Sequence, residues 1–414
     1  MATRRRRAAG EGGVSAYATK AGERYAIRYW AATADGLAQQ RVMRRGFKTR
    51  RAASDELRRV LAEIDKGGYV EASKLTLGDY LETEYLPSVR LKPSTESSYR
   101  KNIRLHVTPY IGDVPMKGLT GQRLTALYRK LEAEGRADGA GGLSARTVRY
   151  VHTIIRKALS EAVEHGLIAV NPADKAKPPS TKQAKSPEMK YWTSVRRVDD
   201  SDQSSTQLDT FLAWSRKDED DLYIAWLLLS STGMRRGELL ALRWQDVDST
   251  AGTLAIRRSA TLIKDFGEGE RIEVGLPKND KPRVIDIDSD TVTALRAHRA
   301  TLAGVDLGLA RDEALVLPGR DGGIRHPERF SRTFGYRLAR CRKMLGKDAP
   351  PAIRLHDLRH THATGLLILG VHPKVVQERL GHATITITLD LYSHVLPSLQ
   401  RSAADSWGAA RRGA

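Results

Sequence analysis

The sequence predicts a mainly α-helical chain with small β-sheets, an α+β class divided among several domains. Three observations carry that expectation. The chain has 414 residues, more than one compact core usually organises, and 40% of them are hydrophobic. Apolar residues recur at helical spacing through about 75–172 and again after 222, whereas short alternating runs are confined to about 25–43 and 253–287. A polar, Pro- and Lys-bearing stretch from Asp174 to Pro187 separates the two helical regions.

Residues 1–70 read as a small β-sheet followed by a helix. The runs Tyr25 to Trp30 and Gln40 to Met43 flank Asp35-Gly36, a hairpin signal. A helix starts after Thr49 with Ala53, Leu57, Val60, Leu61 and Ile64 on one face, and Gly67-Gly68 ends it. The exposed strand face is expected to carry Arg24, Arg28, Arg41, Arg44 and Arg45, a basic, aromatic-bearing surface of a kind that can enter a major groove. A solvated cap is the plainer alternative.

Residues 75–175 form a helical unit with expected breaks at Pro87, Pro93, Pro109 to Gly112 and Gly135 to Gly142. Its clearest helix begins at Ser144, where Val148, Val151, Ile154, Ile155, Leu159 and Val163 recur at helical spacing and the basic residues take other faces. Lys92, Ser94, Thr95, Tyr99, Arg100, Lys101 and Arg104 are its candidate phosphate contacts, weighed against an ordinary solvated helix face. A linker at 176–190 leads into a third domain, 191–414.

Sixty-nine Lys and Arg against 49 Asp and Glu give a net charge of +20, which points to a polyanion, nucleic acid first, as the partner. No window approaches the length and apolarity of a membrane span, and the run Arg4 to Arg7 is not followed by an apolar stretch, so the protein is expected to stay inside the cell. The one cysteine, Cys341, excludes an intramolecular disulfide and a zinc ribbon.

The third domain carries the chemistry. Arg235 follows Thr232-Gly233-Met234 at a turn between an apolar helix, Leu222 to Leu229, and a second one with Glu238, Leu239, Leu240 and Leu242, so Glu238 can reach back and orient it. Strand-like alternation follows at Leu254 to Arg258, Arg271 to Val274 and Arg283 to Ile287, with Lys278 and Lys281 in the turn before the last of these. His356 and Arg359 are three apart, which puts both side chains on one side of a helical turn. A metal site is the rival reading, because His356 and His360 are four apart with His362 nearby. The segment lacks the Glu of His-Glu-x-x-His and no carboxylate set completes it. His382 follows Gly381 at a sharp turn, and Tyr392 lies ten residues on. A phenol can attack a phosphodiester when two guanidinium groups hold the non-bridging oxygens and neutralise the charge of the transition state, and when a proton acceptor stands nearby.

This ordered set, Arg235, His356, Arg359, His382 and Tyr392, resembles the tyrosine recombinases, the phage-integrase family. The resemblance covers most of the chain and is strongest from about 225 to 395. It implies a three-domain architecture: an arm-type DNA-binding domain at 1–70, a SAM-like core-binding domain at 75–175 and a catalytic domain at 191–414. It implies that Arg235, rather than Arg236, and Arg359 clamp the scissile phosphate, that His356 and His382 assist proton transfer, and that Tyr392 becomes a 3′-phosphotyrosine. Lys278 would protonate the departing 5′ oxygen, with Lys281 a competitor. Neither a metal nor another cofactor is required. The implied partners are double-stranded attachment-site DNA, three further copies of the chain, and an accessory DNA-bending or directionality factor. The activity expected is integration and excision of a phage or other mobile element. Rival readings are a chromosome-resolution recombinase, a non-catalytic architectural protein of the same fold, and a metal-dependent nuclease. The stripe Val395, Leu396, Leu399, Ala403 and Trp407 would dock on its own domain or on a neighbouring protomer.

Overall fold

The computed structural model describes residues 12–19, 22–32, 39–65, 75–185, 189–195, 205–265, 267, 269–277, 281–386, 388–389, 404–405, 407–408 and 410–412. Two compact units divide the chain, Met1–Ser186 and Pro187–Ala414.

In the first unit, β1 (Gly13–Thr19), β2 (Gly22–Ala32) and β3 (Gln39–Phe47) form an antiparallel sheet in that order. Helix α1 (Arg50–Asp65) covers one face, with Ala53, Leu57 and Val60 buried against Ile27, Tyr29 and Val42. The Asp35-Gly36 turn and the Gly67-Gly68 stop lie outside the described residues. Side chains alternate across a strand, so Arg44 and Arg45 cannot share a face. Arg44 stands opposite Ile27 on the helix-facing side and pairs with Glu56 of α1 at 3.1 Å, which corrects its expected place on the open face.

A second core in this unit is helical. A helical run made of Leu77–Asp79, the π-helical turn Tyr80–Tyr85 and Leu86–Ser88 ends one residue after Pro87, where Val89 turns extended, so the break falls where the sequence placed it. Then come α2 (Pro93–His106), α3 (Gly121–Glu134) and α4 (Ala145–Glu164). The Ser144 hydroxyl accepts the Thr147 N–H at 3.3 Å and starts α4, whose Val148, Val151, Ile154, Ile155 and Leu159 are wholly buried as their spacing predicts.

The second unit is built around α6 (Tyr223–Thr232), which follows α5 (Gln207–Lys217) and is apolar nearly all round. Buried Asp220 fixes its start by accepting from Leu222 N at 3.0 Å and Trp226 Nε1 at 2.9 Å. Trp226 packs on Phe334 with ring centroids 5.3 Å apart, joining α6 to α9 (Pro327–Leu345). Between them lie the short helix α7 (Arg236–Leu240), a three-stranded sheet in which β4 (Val247–Asp248) and β8 (Arg283–Asp286) flank β5 (Thr253–Ile256), the hairpin of β6 (Ser259–Asp265) with β7 (Gly269–Gly275), and α8 (Ser289–Val305). Helices α10 (Asp357–Ile368) and α11 (Pro373–Leu380) complete the unit. Val376 and Leu380 face inward as expected, whereas Val375, one residue off that face, is 52% exposed. Among the described residues no helix is long and apolar enough to cross a membrane.

Candidate active site

Helix α6 ends where the Thr232 hydroxyl turns back to donate to Leu228 O at 2.6 Å and Gly233 enters the left-handed region, φ +65°. A Cβ on Gly233 would stand 2.5 Å from Leu380 Cδ2 and 2.7 Å from His362 Cδ2, so only glycine lets the α11 end approach. The chain then buries Met234 and presents Arg235 as the residue that opens α7.

Arg235 is held on two sides. Its Nη1 donates to Glu238 Oε1 at 2.9 Å and its Nη2 to the carbonyl of Gly381 at 2.9 Å, while its backbone N–H donates to Glu238 Oε2 at 2.8 Å. Glu238 therefore sits where helical spacing predicts. The neighbouring Arg236 points elsewhere, donating to Ser331 Oγ of α9 at 2.8 Å.

Arg359 reaches the same place from α10. It is almost completely buried, and its Nη1 and Nη2 donate to the carbonyls of Gly233 at 2.7 Å and Leu380 at 2.8 Å. Burial first, and then the charge of Arg235, lower its pKa from the ordinary guanidinium value. His356 precedes α10 and is exposed, its ring meeting His360 edge to face at 5.1 Å. Partial desolvation, then His360 and Arg359, hold His356 below the ordinary imidazole value.

His382 follows the turn at Gly381. Its Nδ1 is 2.9 Å from the buried Thr388 hydroxyl, and its backbone is tied to Gln377 at both N–H and C=O, at 3.1 and 3.0 Å. Desolvation and the nearby Arg359 and Arg235 push its pKa down to about 3, so the ring is neutral at pH 7. His362 accepts at Nε2 from Arg379 Nε at 3.1 Å and is likewise pushed down to about 3, by burial first and then by Arg379. It is a fastening of α11 to α10. Tyr392 and Lys278 lie outside the described residues, as do Val395, Leu396, Leu399 and Ala403; Lys281 is described and exposed.

Two participants escaped the sequence. Arg283, the first residue of β8, forks onto Glu238 with Nη1 to Oε1 at 3.1 Å and Nη2 to Oε2 at 2.7 Å. Burial alone would raise the Glu238 carboxyl; the Arg283 fork, with the N–H and charge of Arg235, outweighs it and holds the group below its usual value. Thr388, the partner of His382, is the other. Its place in a Thr-rich stretch ahead of Tyr392 was the only signal.

The expected DNA-contact residues fall on the first unit. Arg28 and Arg41 share the sheet face away from α1 with Trp30, Met43 and Arg45; the Arg45 guanidinium lies 5.8 Å from the Tyr17 ring centroid. Lys92, just before α2, and Arg104 on it are exposed, and Thr95 is half-buried. Arg100 is paired with Glu82 at 3.2 Å and Glu96 at 2.9 Å. Tyr99, expected as a phosphate contact, instead buries its ring in the helical core, and its hydroxyl meets Lys157 Nζ at 3.4 Å. Beside it, Lys101, Arg146 and Arg149 line a groove between α2 and α4. Among the described residues no group of three His, Cys, Asp or Glu is placed to hold a metal ion.

Models of the phage integrase family and of a phage integrase N-terminal SAM-like domain match residues 204–398 and 76–131. A protein described as tyrosine recombinase XerC-like, from Caldanaerobacter subterraneus, is 27% identical over 371 residues, 87% of this chain and 89% of that one. The ICEBs1 integrase of Bacillus subtilis is 25% identical over 327 residues, 78% and 80% of the two chains. Among solved structures, the Tn1549 transposon integrase in complex with transposon right end DNA shares the fold at a TM-score of 0.62 and 19% identity, covering 81% of this chain and 100% of that one.

Proposed function

This chain belongs to the phage integrase family of tyrosine recombinases, and from that premise we propose how its residues divide the work of cutting and rejoining DNA. It is a site-specific DNA recombinase acting through a covalent tyrosine intermediate.

One observation supports the assignment of the clamp. Arg235, Arg283 and Arg359 converge around a single carboxylate, Glu238, so three positive charges against one negative leave an excess of two. The histidines beside them are held neutral and add none at pH 7. A phosphodiester carries one negative charge and develops a second as it becomes five-coordinate, which is the charge this site lacks. Arg235 and Arg359 hold the non-bridging oxygens, and His382 donates to one of them when Thr388 donates to its Nδ1.

The Tyr392 oxygen bonds to phosphorus as the bond to the 5′ oxygen breaks. The phenolic proton passes to neutral His356, and Lys278 protonates the departing 5′ oxygen. Rejoining is the same exchange in reverse, with a 5′ hydroxyl displacing the tyrosine. The helical region 75–175 grips the core site and the sheet of 1–70 binds a second, arm-type site, with 176–190 as the linker and 191–414 as the catalytic domain. The solvent face of Arg28, Arg41 and Arg45 supports the arm assignment. Four protomers act on two duplexes of an integrating element, with a DNA-bending factor as a further partner.

A nicked suicide substrate, which loses the 5′ fragment after cleavage, tests the reading. Wild-type protein is expected to form a denaturation-resistant protein–DNA adduct, and Tyr392→Phe to form none while binding its half-site nearly as tightly. An adduct in the variant, or free ends and no adduct with wild type, overturns it.

A further inference from the structure

We propose that Arg283 is a positioning residue that locks three separate segments of the active site into one rigid piece. Its side chain is only 10% exposed and makes three directed bonds. Two are the fork onto Glu238, at 3.1 and 2.7 Å, and the third runs from Nε to the carbonyl of Arg379 at 2.9 Å. The guanidinium also lies against Gly381, where a Cβ would come within 3.0 Å of Nη1; Gly381 itself has φ +65°. Only a planar group with donors on three sides can make this set; the point charge of a lysine cannot.

Each bond fixes a different element. Through Glu238 the fork sets Arg235, whose N–H and Nη1 use the same two carboxylate oxygens. Through the Arg379 carbonyl and the Gly381 contact it sets the turn that delivers His382. Through its backbone it holds the first residue of β8, because Arg283 pairs with Ile256 of β5 and lies two residues after Lys281.

Glu238 needs partners for both oxygens. With Arg283 supplying two donors, Arg235 gives the carboxylate one Nη1 hydrogen and keeps other N–H groups for phosphate. Without Arg283 the buried carboxylate has Arg235 as the one cation hydrogen-bonded to it, Arg359 being engaged with two carbonyls, and draws the Arg235 guanidinium onto itself. A buried ion pair of this kind contributes little net stability, so its value here lies in geometry. The inference rests on the clamp reading above, and Arg283 itself touches no phosphate.

The test is single-turnover adduct formation on the nicked substrate carrying a 5′-bridging sulfur, which keeps slow variants measurable. Arg283→Met is expected to slow adduct formation about 100-fold in the wild-type background, the scale of an ångström-sized misplacement. Half-site affinity should stay within about threefold, and in an Arg235→Ala background the same change should cost about tenfold or less, because one of the groups it positions is gone while the His382 turn is still set by Arg283. Arg283→Lys, which keeps the charge and one carboxylate contact, should fall in between; it replaces Arg283→Met in the same comparison if that variant does not fold. A rate within about threefold of wild type, or an equal loss in both backgrounds, overturns the proposal. If wild type forms no adduct, the function reading fails instead, so the two failures are distinguishable.

Discussion

The clamp and the α2 surface are both rich in arginine, yet they hold it in opposite ways. At the clamp, Arg359 is buried and bonded to two carbonyls, and Arg235 and Arg283 share one carboxylate beside it. On α2, Arg100 is solvated and already neutralised by Glu82 and Glu96. Counting cations would rank the two alike. What separates them is whether the charge is compensated and whether it can move. A fixed, uncompensated charge stabilises a transition state without reorganising, while a solvated pair can open to meet a phosphate wherever it happens to lie.

The sharpest way to break this contrast is to remove the fixed charges. Arg235→Ala and Arg359→Ala should each lose about 10³-fold in adduct formation, read on the suicide substrate. Arg359→Ala should also lower the unfolding temperature, because it leaves the carbonyls of Gly233 and Leu380 without their donor. Retention of most activity in either variant would mean that this arginine is not part of the clamp.

Next comes the lysine. Lys278→Ala should lose about 10²-fold on ordinary DNA and recover on the 5′-bridging sulfur substrate, whose leaving group needs no proton. Lys281→Ala should change little on either. Rescue of Lys281→Ala instead would move the proton donor three residues along the chain.

A smaller effect concerns pH. His362 and His382 are held at about 3, against an ordinary value near 6.5, so the unfolded chain takes up their protons first as the solution is acidified. Their contribution to stability is present above about pH 6.5 and is lost as pH falls from there toward 3. Thermal unfolding of the DNA-free chain should therefore shift downward between pH 7 and pH 5, by the same amount in wild type and Arg100→Ala. An unfolding temperature independent of pH in that interval would contradict the neutral, half-buried histidines.

The smallest change is expected on α2 itself. Arg100→Ala should weaken half-site binding by no more than about threefold in an anisotropy titration, since its charge is spent on two carboxylates before DNA arrives. A loss of about tenfold or more would show that those pairs yield to phosphate, and would narrow the difference between the two regions.

The same contrast explains what could be read in advance. Arg235, Glu238, His356, Arg359 and His382 occupy short ordered motifs, and the structure brings Arg235, Glu238, Arg359 and His382 around one turn, with His356 on the Arg359 side of it; Tyr392 and Lys278 lie outside the described residues. The long helices were legible because burial of Val148 or Ile154 follows from local spacing alone. Arg283 was not, because Arg-Val-Ile-Asp reads as a strand and its partner lies 45 residues away. Arg44 and Tyr99 were misplaced for a related reason. A basic or aromatic residue in a polar stretch looks exposed until the strand's alternation, or the helix's inner face, puts it inside.

Arg235 and Arg359 grip the polypeptide at Gly381 and Leu380 by peptide oxygens, which every amino acid possesses. Exchanging the side chain of Leu380 would repack its surroundings while keeping that oxygen in the covalent chain. Half of this fastening is therefore silent to alanine scanning: its cost will always be charged to the arginines. Chemical replacement of the amide linkages, rather than mutation, is the experiment that can apportion it.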